Sequence, residues 1–103
     1  MAALTDKMQV IREVIGEYAS APVNGYAYLT ESDDGKLLSV IDVYQLRGQR
    51  YANAGLIVHI AEEHIVVERD MNNKPLVDAL LQAGFSRNQI ILAYAGEHVP
   101  EIA

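Results

Sequence analysis

A chain of 103 residues with a formal net charge of −6 at pH 7 and no cysteine reads as one domain, residues 1–103, able to bury about 60–70% of its unfolded surface without disulfides. The acidic balance argues against broad binding to nucleic-acid phosphates, which calls for clustered Lys and Arg, and the missing thiols exclude a thiolate nucleophile or thiolate metal site. No apolar run approaches the roughly 18 residues that span a bilayer, and Asp6, Glu13 and Glu17 interrupt the stretch where a secretory signal would need apolar residues, so the expectation is a soluble cytoplasmic protein.

Thr5 is placed to cap a first helix, with Asp6 in the opening turn where negative charge suits the helix dipole. Met8, Ile11, Val14 or Ile15, and Tyr18 follow at three- and four-residue steps, giving one buried face. Pro22 and Gly25 end the helix within Ser20 to Gly25. The pattern then changes to short β-rich runs. Tyr26 to Glu31 and Lys36 to Tyr44 flank Ser-Asp-Asp-Gly, in which Asp34-Gly35 is a strong hairpin signal. In the second run Leu37, Ser39, Ile41 and Val43 share one face, and Leu38, Val40, Asp42 and Tyr44 the other. A strand apolar on both faces is central, or has its second face covered by a partner subunit.

Gln45 to Asn53, with Arg47-Gly48, reads as a polar loop longer than a tight turn, and Ala54 to Ile60 as the third strand. Glu62-Glu63 turns the chain into a fourth, Ile65 to Glu68. That turn places Ile60 opposite Ile65 and Val58 opposite Val67, with His59 beside Val66 on the other face.

The stretch Met71 to Glu97 carries the clearest signals. Asn73 reads as an N-cap, Pro75 sits in a first turn where a missing N–H does no harm, and Leu76, Leu80 and Leu81 recur at helical spacing. Gly84 stops the helix in the left-handed conformation, Phe85 plugs it, Ser86 to Gln89 turns, and Ile90 to Tyr94 is a buried strand. The fold expected is α+β: a two-layer domain in the order α-β-β-β-β-α-β, with a mainly antiparallel sheet and both helices on one face. The last strand arrives through a helix, which allows a parallel pairing.

Spacing singles out no chemistry. His59, His64 and His98 have no converging carboxylate or third imidazole under this pairing, so no metal is expected. Asp33-Asp34-Gly35 lacks the alternating donors of a calcium loop, and no nucleophile elbow or phosphate-binding glycine loop is present. Six tyrosines could stack on single-stranded nucleic acid, but no basic groove accompanies them. Tyr26, Tyr28, Tyr44 and Tyr94 fall in expected strands and suit a core or a subunit contact.

Glu17-Tyr18-Ala19 at the end of the first helix, the block Gly55 to Ile60, Ile65 to Asp70, and above all Leu76 to Gly84 followed by Gln89 to Tyr94 together resemble the XisI-like family. Members of that family commonly carry a Gly-Trp pair in the second strand. This chain has Asp42-Val43-Tyr44 there and no tryptophan, so it resembles a divergent branch. The family is known as controlling factors for excision of the fdxN element in cyanobacteria, a DNA rearrangement of heterocyst differentiation. Its members are small α/β proteins often encoded beside a nuclease-like XisH-like factor, and no catalytic residues carry over.

The resemblance implies a non-enzymatic accessory factor, without cofactor, that binds a nuclease-like XisH-family protein. The second strand, apolar on both faces, and the tyrosines suit a homo-oligomer, a dimer, while the acidic balance argues against direct nucleic-acid contact and no membrane contact is expected. The candidate contact residues are Arg47, Arg50 and Tyr44. One alternative is a DNA-binding directionality factor using Arg47 and Arg50; another is a small-molecule-binding domain, for which a deep pocket lined by His59 or the tyrosines would be needed.

Overall fold

The computed structural model describes residues 4–100. Its elements are α1 (Leu4–Gly16), β1 (Gly25–Glu31), β2 (Leu37–Leu46), β3 (Gln49–Ala61), β4 (His64–Asp70), α2 (Leu76–Gln82) and β5 (Ile90–Leu92). The five strands form one sheet in the order β1-β2-β3-β4-β5. Pairings are antiparallel up to β4, and β4 pairs β5 in parallel because α2 carries the chain back to the starting end. This is the expected α+β order. Among the described residues no helix is long and apolar enough to cross a membrane.

Both helices cover one face. Ile11, Val14 and Ile15 of α1 and Leu76 and Leu80 of α2 pack on Leu38, Val40, Leu56, Val58, Ile65, Val67 and Ile90 of the sheet. Fully burying a side chain of this kind contributes about 1.5–3 kcal/mol. The α1 stripe follows the expected spacing, and Arg12 on its flank pairs with Glu31 of β1 at 2.8 Å. The capping reading of Thr5 and Asp6 falls on side chains outside the described residues. The helix ends sooner than expected, at Gly16. The Tyr18 and Ala19 N–H groups close a turn on the Ile15 and Gly16 carbonyls, and the Tyr18 hydroxyl donates to the Lys74 carbonyl at 3.0 Å, pulling the chain off the helix axis before Pro22 is reached.

The β3–β4 turn produces the expected pairs Ile60–Ile65, Val58–Val67 and His59–Val66. The β1–β2 turn is also as read: Asp34 accepts from the Ser32 hydroxyl and the Lys36 N–H, and Gly35 takes a φ of 72°. The segment Gln45 to Asn53 is not a loop. β2 runs on to Leu46, β3 starts at Gln49, and Arg47-Gly48 alone makes the turn. Both turn residues have positive φ, 52° and 79°, the geometry of a two-residue type I′ hairpin whose twist matches the strands it joins.

Asn73 does not cap α2. The N-cap is Pro75, whose side chain has nothing to donate or accept, and the capping acceptor is Asp70, at the end of β4, whose Oδ2 takes the Leu76 N–H at 2.7 Å. Its Oδ1 takes both the backbone and side-chain N–H of Asn72. The stop is as expected. Gly84 has a φ of 104°, and the Phe85 and Gly84 N–H groups bond the Leu80 and Leu81 carbonyls in a Schellman closure. β5 is shorter than expected, ending at Leu92. A 3-10 turn over Ala93–Ala95 follows and takes Tyr94 out of the sheet. Glu97 draws the chain back there, accepting the Leu92 N–H at 2.8 Å and pairing with Arg87.

Among the described residues the far face of the sheet is covered only at one corner. Ala93 and Val99, beyond β5, pack on a small cluster of Ala61, Val66 and Ile91.

Candidate functional site

β2 and β3 alternate faces along their length, so Leu38, Val40, Asp42 and Tyr44 lie toward the helices while Leu37, Ser39, Ile41 and Val43 lie on the far face. A register shift lets Val40 face Leu56 while Ile41 faces Ala54. The extra residue is Gly55, and a Cβ there would stand 2.7 Å from Asp42 Oδ2. A glycine at this bulge leaves room for the Asp42 carboxylate, which burial pushes above the usual carboxylate range.

Beyond the bulge the β2–β3 arm is held by its own contacts. Tyr44 faces Tyr51 in register and their rings stack at 5.3 Å, 18° from parallel. Tyr26 and Tyr28 of β1 pack with centroids 5.3 Å apart on the opposite face. Arg50 Nη2 donates to the Tyr26 hydroxyl at 2.9 Å, tying the arm to β1. Arg47 sits exposed at the turn. The three residues singled out from sequence therefore do not form one cluster. Arg50 and Tyr44 lie on opposite faces, and Arg47 stands at the tip. Tyr51 lies in the stretch read as loop; its position three residues past the glycine of a residue-glycine turn is the available signal. Val43 to Ala54 contains Arg47 and Arg50 and no carboxylate, in a chain whose net charge is −6.

Three of the four strand tyrosines named from sequence are not core. Tyr26, Tyr28 and Tyr94 are 40%, 59% and 44% exposed. On the far face, Tyr26 and Tyr28 join half-buried Ile41, Val43 and Ile57 with no helix over them. Leu37, on the same face, is exposed as well.

His59 does have a carboxylate, contrary to the pairing expectation: a register shift at Ile57/Val58 swings Glu68 toward it, with Nδ1 3.2 Å from Glu68 Oε2. His59 Nε2 is buried and without a hydrogen-bond partner, so the ring's free nitrogen is not presented to a solvent-borne substrate. Among the described residues no group of three His, Cys, Asp or Glu could hold a metal ion. An open depression of about 290 Å3 is lined by Met8, Arg12, Asp34, Lys36 and Glu62, where two cations and two carboxylates offset one another.

With a helix-covered sheet, a long arm and an open far face established, comparison with known proteins decides the family. A family model described as XisI protein matches residues 1–103.

The chain belongs to the XisI family.

A crystal structure of the fdxN element excision controlling factor XisI from Anabaena variabilis ATCC 29413 is similar at 26% identity and a TM-score of 0.69, covering 94% of this chain and 94% of that one. A crystal structure of a XisI-like protein from the same organism superposes with a TM-score of 0.74 at 15% identity, over 87% of this chain and 85% of the other, which shows the shared XisI fold. No curated protein matches. The resemblance read from Leu76 to Gly84 and Gln89 to Tyr94 is thus the family itself. Those blocks build α2, its Schellman stop and the parallel strand β5.

Proposed function

We propose that this XisI-family chain is a non-enzymatic controlling factor in DNA element excision that works by binding a nuclease-like, XisH-like protein. The far face of β1 to β3 is the contact surface. The observation that carries this is the exposed row of Tyr26, Tyr28 and Leu37 beside half-buried Ile41, Val43 and Ile57, on a sheet face that neither helix covers. Aromatic residues with both apolar area and a polar tip suit a contact of this kind. The similar crystal structure carries the name of an excision controlling factor, which supplies the process, and the acidic net charge suits action on a protein.

The test is recovery of proteins from native lysate on the tagged chain, after nuclease treatment. A nuclease-like protein is expected to remain bound, and Leu37→Asp, which places a charge on the far face, should reduce its retention at least about tenfold. Recovery of the chain alone would overturn the reading. The tip with Arg47 and Arg50 favours a second reading, a DNA contact. It requires binding that falls steeply with salt and is lost in the double variant Arg47→Ala/Arg50→Ala.

A further inference from the structure

β1 is the outermost strand of the sheet, and its backbone says which groups it leaves free. The Gln45 N–H bonds the Asn24 carbonyl and the Ser32 N–H bonds the Leu37 carbonyl. In an antiparallel ladder such pairs alternate, so Tyr26, Tyr28 and Thr30 spend their backbone groups on β2, in register with Val43, Ile41 and Ser39. Gly25, Ala27, Leu29 and Glu31 point theirs outward. The Gly25 N–H is taken by the Pro22 carbonyl. Among the described residues the outward N–H groups of Ala27, Leu29 and Glu31 meet no partner strand.

Exposed edges are ordinarily blunted by Lys, Pro, a bulge or a covering loop. β1, Gly-Tyr-Ala-Tyr-Leu-Thr-Glu, has none of the first three, and its one charge, Glu31, is already paired with Arg12.

We propose that the β1 edge binds a second copy of this chain, antiparallel about a two-fold axis at Tyr28, making one continuous sheet through both molecules. The strand is complementary to itself in that register. Ala27 faces the partner's Leu29, and Glu31 faces the partner's Gly25. The free N–H groups of Ala27, Leu29 and Glu31 therefore meet the free carbonyls of Leu29, Ala27 and Gly25. Shifting the axis to Ala27 sends the Glu31 N–H past the end of the partner's strand; shifting it to Leu29 leaves the Gly25 carbonyl unused. The side chains agree. The only charged residue of the strand falls opposite the only one without a side chain, and Tyr28 meets its own copy on the far face with Tyr26 opposite Thr30. The Tyr26 and Tyr28 pairs of the two copies become one aromatic cluster. The dimer expected from the apolar strands and tyrosines thereby acquires a surface and a register, and it does not depend on the excision partner.

At the axis Tyr28 occupies a non-hydrogen-bonded pair, with Cα atoms about 4.5 Å apart, within the range a disulfide spans. The chain has no cysteine of its own, so Tyr28→Cys reports that contact alone. Mild oxidation should convert most of Tyr28→Cys to a covalent dimer. Thr30→Cys, whose two copies would lie more than about 13 Å apart along the strands, should stay largely uncross-linked. Tyr26→Cys mixed with Thr30→Cys should cross-link. Sedimentation of the unmodified chain should give twice 11.4 kDa. Ala27→Pro, which removes an outward N–H and is tolerated at an edge, should weaken the dimer at least about tenfold with unchanged circular dichroism. A monomer at about 100 µM, or equal cross-linking at positions 28 and 30, would overturn the proposal. Cross-linking at neither position would also overturn it, whether or not Ala27→Pro folds. Loss of the dimer with partner capture intact, or the reverse, separates this proposal from the functional one.

Discussion

The two ends of the β2–β3 hairpin are built by different forces. At the covered end, Leu38, Val40, Leu56 and Val58 are 0–2% exposed beneath the helices, and hydrophobic burial fixes their register, since a one-residue slip would turn all of them to solvent. At the free end, Tyr44 and Tyr51 stack on each other, Arg50 reaches Tyr26, and a two-residue turn closes the arm. The β-ladder passes through both without a break, apart from the bulge at Gly55. A layer above a sheet thus supplies most of the stabilisation, whereas the ladder alone supplies shape.

That contrast sets a sharp expectation for truncations. Leu56→Ala should cost about 2–5 kcal/mol in urea unfolding, because it leaves a cavity under both helices. Tyr51→Ala, at the free end, should cost about 0.5–1.5 kcal/mol, the scale of one aromatic pair. Equal losses would mean the arm is packed as tightly as the core. Next in size is Asp70→Ala, on the covered side. It removes the acceptor for Leu76 and Asn72, and a loss of about 1–2 kcal/mol is expected, together with faster hydrogen exchange in the first turn of α2. If Asn73→Ala costs as much, the cap has been assigned to the wrong residue.

The free end should respond to turn chemistry. Arg47 takes a φ of 52°, where asparagine is more at ease than arginine. Arg47→Asn, giving Asn-Gly at a type I′ turn, should raise stability by about 0.3–0.8 kcal/mol and shift the thermal midpoint upward.

The smallest effect lies at the boundary, with Asp42. Burial raises its folded pKa, so the ionised form is penalised in the folded state. The penalty is absent below the unfolded pKa of about 3.9 and complete above the folded one. Asp42→Asn should therefore gain about a few tenths of a kcal/mol at pH 7, the side chain being largely solvated, and the gain should vanish as pH falls below about 4. Glu97 runs the other way. Its pKa is lowered by the Leu92 N–H first and Arg87 second, so its contribution is present above the unfolded pKa and lost on acidification, and Glu97→Gln should narrow its deficit as pH falls.

The same contrast explains what the residues disclosed beforehand. Where a layer demands alternation or helical spacing, the reading was direct: the α1 stripe, the pairs Ile60–Ile65 and Val58–Val67, and the Gly84 stop all stand as expected. Where no layer demands it, polar strand and polar loop look alike. Gln49 to Asn53 is strand without an apolar face, and Arg at the first turn position concealed a type I′ signal that Asn would have declared. Asn73 misled for another reason. Caps are sought next to the helix, and Asp70 reaches α2 from the preceding strand. The bulge near Glu68 could not be read from alternation, so the His59–Glu68 contact was missed. Of the candidate site, its residue types were legible and its division between two faces was not, because the continuity of the arm decides which side Arg50 takes.

Because the strands stand in the sheet in the order they occur in the chain, each of the first four can add to its neighbour through a short connection with little entropy lost in closing it. β5 alone has to wait for α2 to form and dock before its parallel pairing is within reach. Folding along this route would complete the antiparallel meander early, and registration of Ile90 to Leu92 against β4 would be the slow closing step, carried by the most non-local contacts in the sheet.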